Sequence, residues 1–222
     1  MLFLDPRIRL PQFLKILYPG ALWRGRADER QVYLTFDDGP VPEVTPWVLD
    51  LLRKEEISAC FFCVGENVRR YPDIYNRILS EGHLTGNHSY NHLQGLKCRT
   101  DQYLQNIEKA AELINSLFFR PPHGLLKPVQ YRRLRQNYQV VMWDLVSCDF
   151  RQNLSPETVV SNVLDHVRPG SVIIFHDSVK AWKNMSVALP VVIRELKSRG
   201  YRFGSLAEAV SVKRKNEPLK LK

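Results

Sequence analysis

No uninterrupted apolar run of the roughly 18 residues that a membrane-crossing helix needs occurs in this chain of 222 residues. Its most apolar early stretch, Phe13 to Trp23, is broken by Lys15 and Pro19, follows Asp5 and precedes no Ala-x-Ala-like cleavage site, which argues against a secretory signal. The expectation is a segment packed under the domain, with peripheral membrane contact through Leu10 to Trp23 as the alternative. Cysteine is scarce as well. Cys60, Cys63, Cys98 and Cys148 are too few and too irregularly spaced for a disulfide framework or a zinc knuckle, and Cys60-Phe61-Phe62-Cys63 lies in an apolar, strand-like run rather than a redox turn. Reduced thiols favour the cytoplasm, and with no clear signal peptide the expected location is cytoplasmic or peripheral to the membrane, with the cell envelope as the alternative. Repeats of fixed period and low-complexity tracts are also lacking, so one ordinary globular domain is expected.

Acidic residues are outnumbered, giving a formal charge of +9. The excess is uneven: residues 213–222 hold five bases and one acid, leaving +5 for the rest. No motif for reading RNA or DNA accompanies this charge, so specific nucleic-acid binding is not expected and the run reads as a solvated tail. The expected division is an N-terminal segment over residues 1–30, a catalytic domain over 31–210 and a basic tail over 211–222. Nothing in the sequence bears on the oligomeric state.

Between these ends strands and helices alternate. Gln31 to Phe36 is a β-rich run that Gly39-Pro40 cannot continue, and Glu43 to Lys54 carries apolar residues at helical spacing. Strands follow at Ser58 to Val64, His83 to Thr85, Phe118-Phe119, Tyr138 to Trp143, Ser171 to Phe175 and Tyr201 to Phe203, separated by helices near 71–79, 100–117, 128–136, 155–166 and 185–199. About seven alternations imply parallel strands with right-handed crossovers: an α/β fold, closed as a barrel or left as an open doubly wound sheet. Polar clusters follow the strands ending at Phe36, Thr85, Phe119, Trp143 and Phe175, and five strand ends converge on one site more easily in a barrel.

Those clusters carry the candidate chemistry. Asp37 and Asp38 close the first strand; adjacent residues there point apart, so one can bind a metal while its neighbour handles protons. His88 and His92 stand four apart, which on a helical turn puts both imidazoles on one face, although surface histidines reach this spacing by chance too. With Asp38 they make two imidazoles and a carboxylate, a divalent-metal set with open positions. Arg120 opens the rigid Arg120-Pro121-Pro122-His123-Gly124 run and can hold a carboxylate. Asp149-Phe150 adds an acid and an aromatic face. His176 follows the most buried strand, either as a satisfied core histidine or as an acid/base.

Thr35-Phe36-Asp37-Asp38-Gly39, His88-x-x-x-His92, Arg120-Pro121-Pro122-His123-Gly124, Asp149-Phe150 and the strand into His176 resemble, in order, the five motifs of the polysaccharide deacetylases of the NodB-homology type, over roughly residues 31–206. The resemblance implies a distorted (β/α) barrel and removal of acetyl groups from sugars such as N-acetylglucosamine, with O-acetyl groups as the variant. It implies one divalent ion, zinc ahead of cobalt, nickel, iron or manganese, held by Asp38, His88 and His92. Asp37 would be general base, Arg120 its clamp, His176 general acid with Asp149 beside it, and a backbone N–H near His123 would help the ion hold the oxyanion. Amide hydrolysis needs each of these kinds of help. Phe150 stands where the family usually has Trp and His123 where it often has Tyr, both at the groove wall that bears on sugar preference. A metal-free amidohydrolase of the same fold and a non-enzymatic glycan- or nucleic-acid-binding protein are the competing classes, but each would be expected to have lost one of these residues.

Overall fold

The computed structural model describes residues 8–9, 12–25, 27 and 29–210; the basic tail, 211–222, and the remaining N-terminal positions lie outside the described residues. In chain order the elements are β1 (Gln31–Asp37), α1 (Thr45–Lys54), β2 (Cys60–Cys63), α2 (Gly65–Arg70), α3 (Pro72–Ser80), β3 (Leu84–Asn87), α4 (Thr100–Ala111), β4 (Phe118–Phe119), α5 (Pro128–Asn137), β5 (Gln139–Val140), β6 (Leu145–Val146), α6 (Pro156–Leu164), β7 (Val172–His176), α7 (Trp182–Ser198) and β8 (Arg202–Phe203).

The sheet runs β5-β4-β3-β2-β1-β7-β6, all pairs parallel, and β8 pairs with the first residues of β1. Among the described residues β5 and β6 do not pair, so the sheet curls into a barrel left open on one side. Residues 22–24 lie along that opening, with Leu22 bridging Val141 and Arg24 bridging Ser171. Leu22 is fully buried.

Period-two alternation sorts the strand residues. Val32, Leu34 and Phe36 of β1, Phe61 and Cys63 of β2, and Ile173 and Phe175 of β7 join the large core under the helices. Tyr33, Cys60, Phe62 and Val172 form a second cluster inside the curl. The same alternation turns Thr35, Asp37 and His176 inward, and Asp37 pairs in register with His176 at the C-terminal ends of β1 and β7. All four cysteines are free; Cys60, Cys63 and Cys148 are buried.

Several element boundaries differ from expectation. The helix expected over 100–117 stops at Ala111, because Leu113 and Leu117 are exposed rather than core-facing and Ser116 Oγ accepts the Phe118 N–H. The strand expected over 138–143 ends early: Asp144 turns the chain by bonding Arg168 and Ser171, and pairing resumes against β7 as the unexpected β6. The short α2 buries only Gly65 and Val68 and so shows no helical periodicity to read.

Candidate active site

At the C-terminal mouth of the curl a cavity of about 310 Å³ is lined by Asp37, Asp38, His88, His92 and His176, with Trp143, Phe150 and His123 among its walls. β1 delivers both aspartates. Asp37 is 5 % exposed, and its Oδ1 accepts Arg120 Nη1 at 2.6 Å. Arg120 is fully buried: Nη1 also donates to Thr35 Oγ1 at 2.9 Å, Nε and Nη2 donate to the carbonyls of Val141 and Met142, and the guanidinium lies 4.0 Å over the Phe62 ring. Asp37 Oδ2 faces the cavity, 4.0 Å from His88 Nε2.

The two aspartates do not point fully apart: Asp38, with a left-handed backbone at φ 83°, lines the same cavity and approaches the same imidazole nitrogen as Asp37. Asp38 Oδ1 lies 3.2 Å from His92 Nε2 and 3.7 Å from His88 Nε2. The two histidines do not share a helical turn. The chain from His88 to His92 is a loop with left-handed residues at Ser89 (φ 64°) and His92 (φ 58°), pinned where Asn87 Oδ1 accepts Ser89 N–H and Asn106 Oδ1 accepts Tyr90 N–H. The two imidazoles still come together, with ring centroids 5.1 Å apart, but through a different backbone from the helical turn the spacing suggested. His88 Nδ1 is bonded to the Arg120 carbonyl at 2.7 Å, which leaves Nε2 free toward Asp38.

The three residues fit a divalent cation. One ligand atom from each of Asp38, His88 and His92 lies within 4.8 Å of the others. Asp38 Oδ1 is buried yet accepts no aligned hydrogen bond, an orphan that a cation would satisfy. Burial pushes the His88 pKa down to about 4, keeping a neutral imidazole ready to ligate. Burial works to raise Asp38, but His92, His176 and His88 outweigh it and hold the carboxyl below its usual range. Two imidazoles and one carboxylate are the donor set of open, catalytic metal sites.

Across the cavity, His176 Nδ1 lies 2.8 Å from Asp149 Oδ1, and the His176 N–H donates to Asp149 Oδ2. Burial opposes charge on His176, but the Asp149 carboxylate prevails and the pKa rises to about 9. Phe150 packs edge-on against His176 at 4.9 Å, and His123 packs edge-on against His92 at 4.8 Å. The His123 ring thus leans on His92 as well as forming wall. Gly124 (φ 72°) must stay glycine: a Cβ there would meet Trp143 Cη2 at 2.0 Å.

All nine residues singled out in the sequence gather at this cavity or, for Arg120 and Asp149, directly behind it. Sequence reasoning missed Trp143 and Lys180 in the lining, and Thr35 behind Arg120. An aromatic closing a strand-like run was the available signal for Trp143; Lys180 carried none.

Fold and site together define a class, a curled parallel α/β sheet whose strand ends bring Asp38, His88 and His92 to one side of a cavity and the Asp149-bonded His176 to the other. The particular family follows from similarity. The family model described as Polysaccharide deacetylase matches residues 24–140. A peptidoglycan-N-acetylglucosamine deacetylase of Bacillus cereus is 39% identical over 190 residues, 82% of this chain and 69% of its own length. A second protein of that name and organism is 33% identical and is covered over 93% of its length. The crystal structure of the Bc1960 peptidoglycan N-acetylglucosamine deacetylase, in complex with 4-naphthalen-1-yl-N-oxidanyl-benzamide, has a TM-score of 0.83 at 35% identity, covering 90% of this chain and 96% of that one. Bacillus subtilis PdaA, a family 4 carbohydrate esterase, has a TM-score of 0.79 at 28% identity, covering 91% of each chain. The chain belongs to the polysaccharide deacetylases, hydrolases that release acetate from N-acetylated sugars.

Proposed function

We propose that this chain deacetylates N-acetylglucosamine units of a peptidoglycan-type glycan, with zinc as its ion. The substrate is drawn from what the similar proteins are named for, and zinc from the donor set. The observation that carries the reading is the pairing of two anchored groups across one cavity: Asp37 held by Arg120 on one side, and His176 held by Asp149 on the other. With such a substrate the place of work is the cell envelope. Among the described residues no helix is long and apolar enough to cross a membrane.

Asp38, His88 and His92 would hold a divalent ion, which when bound would supply Lewis acidity toward water and the acetyl oxygen. Asp37 keeps Oδ1 on Arg120 and offers Oδ2 to the attacking water, whose proton it accepts as oxygen adds to the acetyl carbon. A backbone N–H near His123 helps stabilise the oxyanion. His176, protonated near neutral pH and oriented through Nδ1 by Asp149, gives the Nε2 proton to the sugar nitrogen as the C–N bond breaks. Acetate and a free amino sugar result. Trp143 and Phe150 supply apolar walls for the sugar.

Acetate release from chito-oligosaccharides, peptidoglycan fragments and O-acetylated sugars, before and after chelation and with zinc restored, tests this reading. Zinc-dependent acetate from the N-acetyl substrates is expected. Zinc-dependent release from esters alone would make the chain an esterase, and chelator-insensitive release would remove the ion.

A further inference from the structure

Asp38 has a backbone φ of 83°, a left-handed conformation that an L-residue adopts under constraint. The constraint is visible in both peptide planes that flank its Cα. On the N-terminal side, the Asp37 carbonyl accepts the Asp177 N–H at 3.1 Å. On the C-terminal side, the Asp38 carbonyl accepts Asn67 Nδ2 of α2 at 2.8 Å, and the Gly39 N–H donates to Asp177 Oδ1 at 3.0 Å. Two side chains from distant elements thus hold opposite ends of one peptide unit. Asp177 is itself locked: it is 1 % exposed, and its Oδ2 accepts Thr45 Oγ1 at 2.7 Å. A Cβ on Gly39 would fall 1.9 Å from Asp177 Oδ2, so only glycine lets the carboxylate approach this closely.

We infer that Asn67 and Asp177 are positioning residues: together they clamp the backbone on either side of Asp38 and so fix the direction in which its carboxylate meets His88 and His92. The inference rests on the reading of Asp38 as a metal ligand. The direction of a Cα–Cβ bond follows from the two peptide planes around it, and both planes are held here. Burial pushes the Asp177 pKa up to about 8, yet Oδ1 accepts from Gly39 whether or not Oδ2 carries a proton. Neither residue touches the cavity, so neither takes part in proton transfer. Because Asp177 follows His176, one residue also ties the strand end bearing the proton donor to the loop bearing the cation ligand.

The test is zinc affinity of the apo full-length chain, measured by competition with a chromophoric chelator, with His92→Ala as control. Asn67→Ala is expected to weaken zinc binding ~10–100-fold, the usual cost of losing an outer-shell partner. Activity should return at saturating zinc, and the melting temperature of the apo-protein should stay close to the parent's. Asp177→Ala should behave similarly, and Asp177→Asn, which keeps an acceptor for Gly39, should recover most of the affinity. If Asp177→Ala does not fold, Asn67→Ala decides alone. Parent-like zinc affinity in Asn67→Ala, alongside clear loss in His92→Ala, overturns the clamp while leaving the ligands in place. Parent-like affinity in His92→Ala overturns the ligand assignment and the clamp with it.

Discussion

Arg120 Nη1 bridges Asp37 Oδ1, at 2.6 Å, and Thr35 Oγ1, at 2.9 Å, two groups on the inward face of the same strand. Every nitrogen of this fully buried guanidinium has an acceptor, so the Asp37 carboxylate is fixed by a partner that cannot move. Removing one member of such a pair strands the other in the interior. Arg120→Met is therefore expected to destabilise the fold by ~3–5 kcal/mol, read as a lowered urea midpoint. Stability equal to the parent's would show that Asp37 finds another partner.

The two neighbouring aspartates should fail differently. Asp37→Asn keeps size and an acceptor for Arg120 but loses the basic oxygen, so zinc should bind normally while turnover falls ~10²–10⁴-fold. Asp38→Asn should weaken zinc binding, and excess zinc should restore part of its activity. Zinc titration followed by acetate release checks both variants; the opposite pattern would mean the two roles are exchanged.

His88→Ala and His92→Ala should lower zinc content and deacetylation together. Elemental analysis of the purified variants provides the measurement, and full occupancy in both would sink the assignment. His88→Ala should also cost folding stability, because it frees a buried carbonyl at Arg120.

The pH dependence follows from His176. As the proposed proton donor it works as the imidazolium, with a folded pKa of about 9 in the absence of an ion, so activity is expected below that value and should be lost as pH rises through it. A nearby dication works against a second positive charge and moves this alkaline limb lower. Asp149→Asn removes the main cause raising the pKa and should shift the limb of kcat/KM further toward neutrality; an unmoved limb would count against the pair. His176→Ala should keep its zinc and lose most activity on N-acetyl sugars but less on an activated aryl acetate, whose leaving group needs no proton.

What the sequence by itself determined is a set of polar strand-end residues and the fold class that gathers them at one cavity. Asp37, Asp38, His88, His92, Arg120, Asp149 and His176 are polar residues at the ends of apolar runs, and parallel α/β topology brings such ends to one face. Period two alone turns Asp37 and His176 inward. Local pattern failed where a conformation depends on distant groups. The loop from His88 to His92 reads as a helical turn, yet Asn87 accepts the Ser89 N–H and Asn106 the Tyr90 N–H in a loop with left-handed residues at Ser89 and His92, which no spacing rule reveals. Only the tertiary structure decided which partner each carboxylate meets. Arg120 lies 83 residues from Asp37, and Asp177 lies 138 from Gly39. Such pairings are settled by how strands and loops from separate parts of the chain pack in a buried space where every polar group must find a partner.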